Sequence, residues 1–144
     1  MTAGKEKLHF HLLTPSGPVI EEEVDQLTIT TKAGEITILP RHIPLIASLK
    51  VGHAMVKKDG EEHYFAIDGG VLEVRKDGTV IVLSNRSEKA SEIDVERARE
   101  AMERAKRYIE EFKEGKDHPE YARLQYLLAK EENRLRVARL GHRR

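Results

Sequence analysis

Two histidines stand closest to chemistry in this chain. His9 and His11 lie two residues apart, so on a strand both imidazoles would face one way, as in a two-histidine metal clip. The sequence sets no third histidine or carboxylate beside them, so the expectation is a pair of exposed or half-packed histidines and no metal site. There is no cysteine, which removes thiolate nucleophiles, disulfides and cysteine-based metal sites. No GxxxxGK[ST] loop is present to cradle nucleotide phosphates, so hydrolysis of ATP by this chain alone is not expected. His42, between Pro40 and Pro44, is the other candidate for hydrolytic chemistry. Neither His42 nor the His9/His11 pair comes with a nucleophile, a base and an orienting group that can be assigned together. An enzyme is therefore the poorest reading, and no catalytic residue is assigned.

The elements that would position these residues change character near Ser87. Before it, apolar residues alternate and short runs end in Gly, Pro or Asp-Gly, a period of two that means strands. Leu8, Phe10 and Leu12 alternate with His9 and His11. The turn Pro15-Ser16-Gly17-Pro18 leads to Val19-Ile20, which the acidic run at residues 21–23 blunts. Val24, Leu27 and Ile29 follow, then residues 35–39, which stop at Pro40. Residues 51–57 and 62–67 read as a hairpin around Asp59-Gly60, and residues 70–74 and 79–83 as another around Asp77-Gly78. About ten short strands with regular turns predict a β-sandwich or flattened barrel over residues 1–87.

After Ser87 the period becomes helical. Residues 88–144 hold 15 basic and 13 acidic residues. Ser91 and Asp94 offer N-caps, and Val95, Ala98, Met102, Ala105, Ile109 and Phe112 form one apolar seam that Gly115 stops. Asp117-His118-Pro119 opens a second helix, with Pro suited to the first turn. Its seam runs Tyr121, Leu124, Leu128, Leu135 and Ala138, and is interrupted by Glu131, Glu132 and Asn133. The fold class is thus α+β with two domains: the sandwich, then an antiparallel two-helix hairpin at 88–144. A pair this narrow buries too little to be robust alone, which suits a part that leans on something else and can detach.

The bulk numbers exclude some partners. Lys plus Arg equals Asp plus Glu at 25 each, so the basic excess that nucleic acid demands is missing. Aromatic content is 5% with no Trp, which argues against base or sugar stacking. The N-terminus has no apolar signal core and no stretch approaches 18 apolar residues, so a soluble cytosolic chain without direct membrane insertion is expected.

Four motifs in order carry a family likeness. Residues 34–45, GEITILPRHIPL, resemble GExGILPxHxPL of the epsilon subunit of bacterial and chloroplast F-type ATP synthases. Residues 69–74, GGVLEV, resemble its GGxLEV strand. Residues 93–98, IDVERA, match IDxxRA at the start of its helical domain, and residues 133–138, NRLRVA, match its closing NRLxVA. Thr37 stands where the family commonly has Gly, and a β-branched residue forbids positive φ there. The resemblance implies a non-catalytic central-stalk subunit of a proton- or sodium-driven ATP synthase, peripheral on the cytoplasmic face of the membrane. Its partners would be the gamma subunit, the c-ring and the alpha and beta catalytic subunits. The sandwich would couple rotation to ATP synthesis, and the mobile helices would inhibit hydrolysis. No cofactor is required on this account, and ATP enters as a regulatory ligand.

Carried over by motif, the ATP contacts of the family's nucleotide-binding members fall on Glu88, Asp94, Arg97, Lys130 and Arg134. Pairing the hairpin about its turn sets residue 99 opposite roughly 134 and residue 103 opposite roughly 130, which brings the cations toward the start of the first helix. Lys130 replaces an Arg and offers a point charge rather than a planar fork, so weaker binding follows. On the other account Asp94 is only an N-cap, and the cations are ordinary surface partners. Glu35 and His42 fall in the segment that, by resemblance, faces the c-ring. Arg134, Arg136, Arg139, Arg143 and Arg144, with no acid after Glu132, either complement the helix dipole or latch onto acidic surfaces of the catalytic subunits. A freestanding nucleotide-binding sensor is the alternative function.

Overall fold

The computed structural model describes residues 6–142, in two compact units that divide between Lys89 and Ala90. The first is all β: β1 (Leu8–Thr14), β2 (Gly17–Val24), β3 (Gln26–Thr31), β4 (Gly34–Ile38), β5 (Leu45–Lys58), β6 (Glu61–Val74), β7 (Thr79–Ser84) and β8 (Ser87–Lys89). The strand order is β2-β1-β7-β6-β5-β3-β4, with β8 on β6. Most neighbours are antiparallel, whereas β1 and β7 run parallel, with Phe10 opposite Val80.

Alternation sorts the side chains. Leu8, Phe10 and Leu12 of β1, Leu27 and Ile29 of β3, Phe65 and Ile67 of β6, and Val80 and Val82 of β7 join one core, each nearly or wholly excluded from solvent. Burying a side chain of this size contributes about 1.5–3 kcal/mol, so this cluster is what makes the sandwich a rigid platform. His9 and His11 fall on the opposite face, as their spacing requires.

The sandwich matches the sequence expectation, with eight strands where about ten were expected. Residues 62–67 and 70–74, read as separate strands, are the single strand β6. Gly69 and Gly70, at φ 85° and 130°, turn the strand without ending it. A Cβ on Gly70 would lie 1.9 Å from the Leu83 carbonyl oxygen, so only glycine lets β7 pass this close. Leu45 and Ile46, directly after Pro44, already belong to β5. Thr37 sits regularly in β4, its hydroxyl 2.9 Å from that of Thr28 on β3. The Asp59-Gly60 hairpin is as expected: a two-residue loop with both φ positive, the mirror-image turn that matches strand twist.

The second unit holds a 3-10 turn (Ala90–Glu92), α1 (Val95–Glu111) and α2 (Pro119–Gly141). Ala98 and Ala105 of the expected α1 seam are buried, while Val95, Met102 and Ile109 are half-buried. The helix stops at Glu111, before Gly115. Glu110 and Glu111 in its last turn oppose the dipole, and the Phe112 ring lies 5.7 Å from Tyr121 and 5.5 Å from His118. His118 caps α2, its Nδ1 accepting from the Glu120 backbone N–H at 3.1 Å, and Pro119 follows at the first helical position. The largest departure is at 131–133. Glu131 and Asn133, read as breaks in the seam, are 8% and 2% exposed.

Two expectations follow for the sandwich. Gly70→Ala forces a non-glycine residue into a glycine-only conformation against a carbonyl, and should cost at least about 3 kcal/mol, read as a lowered urea midpoint with an unchanged m-value. The Thr79 backbone N–H, 3.0 Å from Asp77 Oδ1, holds the Asp77 carboxyl below its ordinary value. A depressed folded value means that the contribution is present above the unfolded value near about 4 and is lost as pH falls through the lower folded one. Melting temperature measured from pH 5 to pH 2 should therefore fall less steeply in Asp77→Asn than in the parent chain.

Candidate functional site

The positions marked for nucleotide fall in both units. Glu88 lies in β8 opposite Ala66 of β6, while Asp94, Arg97, Lys130 and Arg134 belong to the helical unit. Asp94 is the N-cap of α1, its Oδ1 accepting from the Arg97 N–H at 3.1 Å. The α1 dipole adds a partial positive charge at the same end, next to the exposed Arg97 side chain. On α2, Arg134 Nη1 donates to Glu131 Oε1 at 2.8 Å, with both side chains little exposed (13% and 10%). Lys130 is half-buried one residue earlier.

Tyr108 of α1 and Leu124 of α2 line one cleft of about 460 Å³ near the hairpin turn, together with Phe112 and Leu127. Counting equal steps back along both helices from that pair sets Arg97 within about a turn of the level of residue 135, at the same end of the hairpin as Arg134. It sets Lys130 level with about residue 102, roughly one turn nearer the tip at about 1.5 Å per residue. Arg97 and Arg134 therefore both lie toward the open end of the hairpin, with Asp94 about a turn further out along α1. That end of the hairpin carries two guanidinium groups, a helix N-terminus and an ammonium, set against the carboxylates of Asp94 and Glu131, the second of which already pairs with Arg134. It holds no group placed to activate a nucleophile.

The sandwich carries a second candidate. Inner positions alternate with outer ones, and the outer row across β1, β7 and β6 is Leu13, Leu83 and Val71, in direct register. Leu83 is 51% and Val71 42% exposed. Ile81 continues the same face one row further along β7, opposite His11 of β1 and Glu73 of β6. At the proline-bounded end, Leu39, Ile43 and Ile46 are 51%, 74% and 74% exposed. Such apolar surface on a rigid body marks a contact with another molecule.

His42 lies at this end, its Nδ1 2.7 Å from the Ile43 carbonyl oxygen, and Arg41 reaches Glu6 at 2.6 Å. That contact holds the Arg41 guanidinium above its ordinary value. Glu35 stands at the other end of β4, its carboxylate 3.3 Å from His53 Nε2, so it and His42 do not form one constellation. His9 and His11 face Glu23 and Glu21 at 3.6 and 3.5 Å. Among the described residues, no three His, Cys, Asp or Glu side chains stand close enough to hold a metal ion.

The outer row was missed in the sequence, although a signal for it exists. Val80-Ile81-Val82-Leu83 is apolar at every position, whereas an antiparallel strand with one wet face should alternate. A continuous run means that both faces are to be covered.

Comparison with known proteins covers nearly the whole chain. The family described as "ATP synthase, Delta/Epsilon chain, beta-sandwich domain" matches residues 7–90. Its companion, the long alpha-helix domain of the same chain, matches residues 91–139. The ATP synthase epsilon chain of Halalkalibacterium halodurans is 43% identical over 131 residues, 91% of this chain and 96% of that one. The epsilon chain of Levilactobacillus brevis is 37% identical over 139 residues, 96% of this chain and 99% of that one. A chain in the mitochondrial ATP synthase of Euglena gracilis superposes with a TM-score of 0.78 at 24% identity, covering 93% of this chain and 81% of that chain, which speaks to the fold alone.

The capping role of Asp94 can be tested separately from any ligand. Asp94→Ala should cost about 1 kcal/mol and speed amide exchange in the first turn of α1, while Asp94→Ser, another good cap, should leave both nearly unchanged. Equal loss in both variants would show that the carboxylate charge, and not the cap, is what α1 needs.

Proposed function

The chain belongs to the ATP synthase delta/epsilon family, and from that premise we propose that it is the epsilon subunit of an F-type ATP synthase, a non-catalytic part of the central stalk. The observation that carries the docking half of this reading is the apolar row of half-buried Leu13 with exposed Leu83 and Val71 on a stiff sandwich. That row suits the gamma subunit, since covering an exposed leucine or valine contributes up to about 1.5–3 kcal/mol each. The end formed by Leu39, His42, Ile43 and Ile46 suits the c-ring, with Glu35 further along β4. Among the described residues no helix is long and apolar enough to cross a membrane, so the subunit would be held at the cytoplasmic face through its partners.

The helical unit supplies the regulatory half. Its α1 seam is built from alanines and half-buried side chains, so little apolar area holds α1 to α2. A marginal pair of this kind can exchange between folded and extended arrangements for a few kcal/mol. Extended, it would meet the catalytic subunits through cations such as Arg136 and Arg139 and block hydrolysis. ATP held by Asp94, Arg97, Lys130 and Arg134 would favour the folded arrangement, with Lys130 giving weaker binding than a forked guanidinium.

Reconstitution with gamma and the catalytic subunits tests this. The full chain should co-purify with gamma and suppress ATP hydrolysis. A chain ending at Lys89 should still bind gamma yet leave hydrolysis uninhibited, and Leu83→Asp should weaken gamma binding at least about tenfold without unfolding the sandwich. A full chain that never retains gamma would sink the stalk reading, and a truncated chain that inhibits fully would sink the role given to the helices. Calorimetry should show heat with magnesium ATP up to millimolar concentration, lost in Arg134→Ala.

A further inference from the structure

We propose that Glu131 is an internal rival of nucleotide phosphate for Arg134, setting how much ATP is needed to engage the helical unit. This rests on the nucleotide reading above and adds to it a residue that none of the motifs marks. The sequence presents Glu131 as an interruption of an apolar seam. The structure buries it, at 8% exposure, and places its Oε1 2.8 Å from Arg134 Nη1, one helical turn away. The two side chains are nearly equally hidden, at 10% and 13% exposure, so each charge is screened by its partner more than by water.

The consequence follows from charge and donor count. Arg134 carries a single positive charge, and the Glu131 carboxylate at 2.8 Å already balances it. A phosphate that approaches Arg134 meets a carboxylate within reach of the same fork, and two anions sharing a poorly solvated cation repel. Full engagement of Arg134 therefore requires Glu131 to let go. A carboxylate cannot stay buried and unpaired, so on release the Glu131 side chain must swing out to water. Glu132 cannot fill the same role, being exposed on another side of the helix. Asn133 is engaged elsewhere, its Oδ1 accepting from Arg136 Nη2 at 2.7 Å. Nucleotide capture and release of Glu131 thus become one event.

The test is calorimetry of magnesium ATP with the full chain, comparing parent, Glu131→Gln, Arg134→Ala and the double variant, with circular dichroism as the control for folding. Glu131→Gln keeps the shape and removes the charge. It should lower the dissociation constant about tenfold or more, and the gain should vanish in the Arg134→Ala background. Heat from the parent with an unchanged or raised constant in Glu131→Gln overturns the rivalry and leaves the nucleotide site standing, as does a gain that persists without Arg134. Silence from both parent and Glu131→Gln at millimolar ATP overturns the site and the rivalry together. Should Glu131→Gln fail to fold, the side-chain carboxyl resonance of Glu131 in the parent chain decides. It should move in step with ATP saturation, and a resonance that stays put at saturation overturns the proposal.

Discussion

The β5–β6 hairpin is the constraint on which the sandwich is built. Its two strands pair from Leu45 opposite Val74 to Lys58 opposite Glu61, and β3, β7 and β8 all attach to it. A ribbon of that length cannot stay flat and also bury one face of every neighbour. It must turn, and the turn at Gly69-Gly70 brings β7 against β6 so closely that the Leu83 carbonyl occupies the space a side chain would need. From that bend follow the placement of β7, the parallel pairing of β1 on β7, and the outer row Leu13, Leu83 and Val71. The surface proposed for docking thus inherits its precision from backbone geometry in the core.

The helical unit is made of weaker terms. The Glu96–Arg99, Glu103–Lys106 and Glu120–Arg123 pairs are exposed, one turn apart, and worth a few tenths of a kcal/mol each. Two caps, Asp94 and His118, add about 1 kcal/mol apiece at most. Against these stand two acids at the C-terminal end of α1 and a buried ion pair whose desolvation offsets much of its attraction. At the open end, the 3-10 turn packs on α2 through Gly141, where a side chain would meet Ala90 at 2.5 Å. Weak terms of this sort are what a part needs if its arrangement is to respond to a ligand.

Much of this was legible from periodicity. The change near Ser87, the Asp59-Gly60 hairpin, the Asp94 cap and the inner faces of β1 and β3 all come from local rules that the sequence states directly. What it could not state depends on pairings between distant residues. The parallel contact of β1 with β7 joins residues about seventy apart, and nothing in either strand encodes its partner. The attachment of β8 to β6 joins residues just over twenty apart, and it carries the sheet two residues past the point where the period changes. Val80-Ile81-Val82-Leu83 was read correctly as a strand, yet its unbroken apolar character pointed to a second covered face that strand periodicity alone does not ask about. Glu131 and Asn133 failed for the opposite reason. Polarity was taken as exposure, whereas a carboxylate one turn from a guanidinium can be buried because the two satisfy each other.

The two units divide the work according to their stabilities. A ligand that binds one arrangement of the helices at a hundred times its dissociation constant shifts the balance by about 2.7 kcal/mol. That amount is small beside the sandwich core, which loses more than this when a single large side chain is removed. It is comparable to the sum of caps and surface pairs that hold the hairpin. On the proposed reading, nucleotide would move the helices without disturbing the platform, provided that its contacts lie where the weak terms are. The four positions proposed for it, Asp94, Arg97, Lys130 and Arg134, all belong to the helical unit, and on that proposal Arg134 is the one whose occupation by phosphate would also disturb its buried partner Glu131.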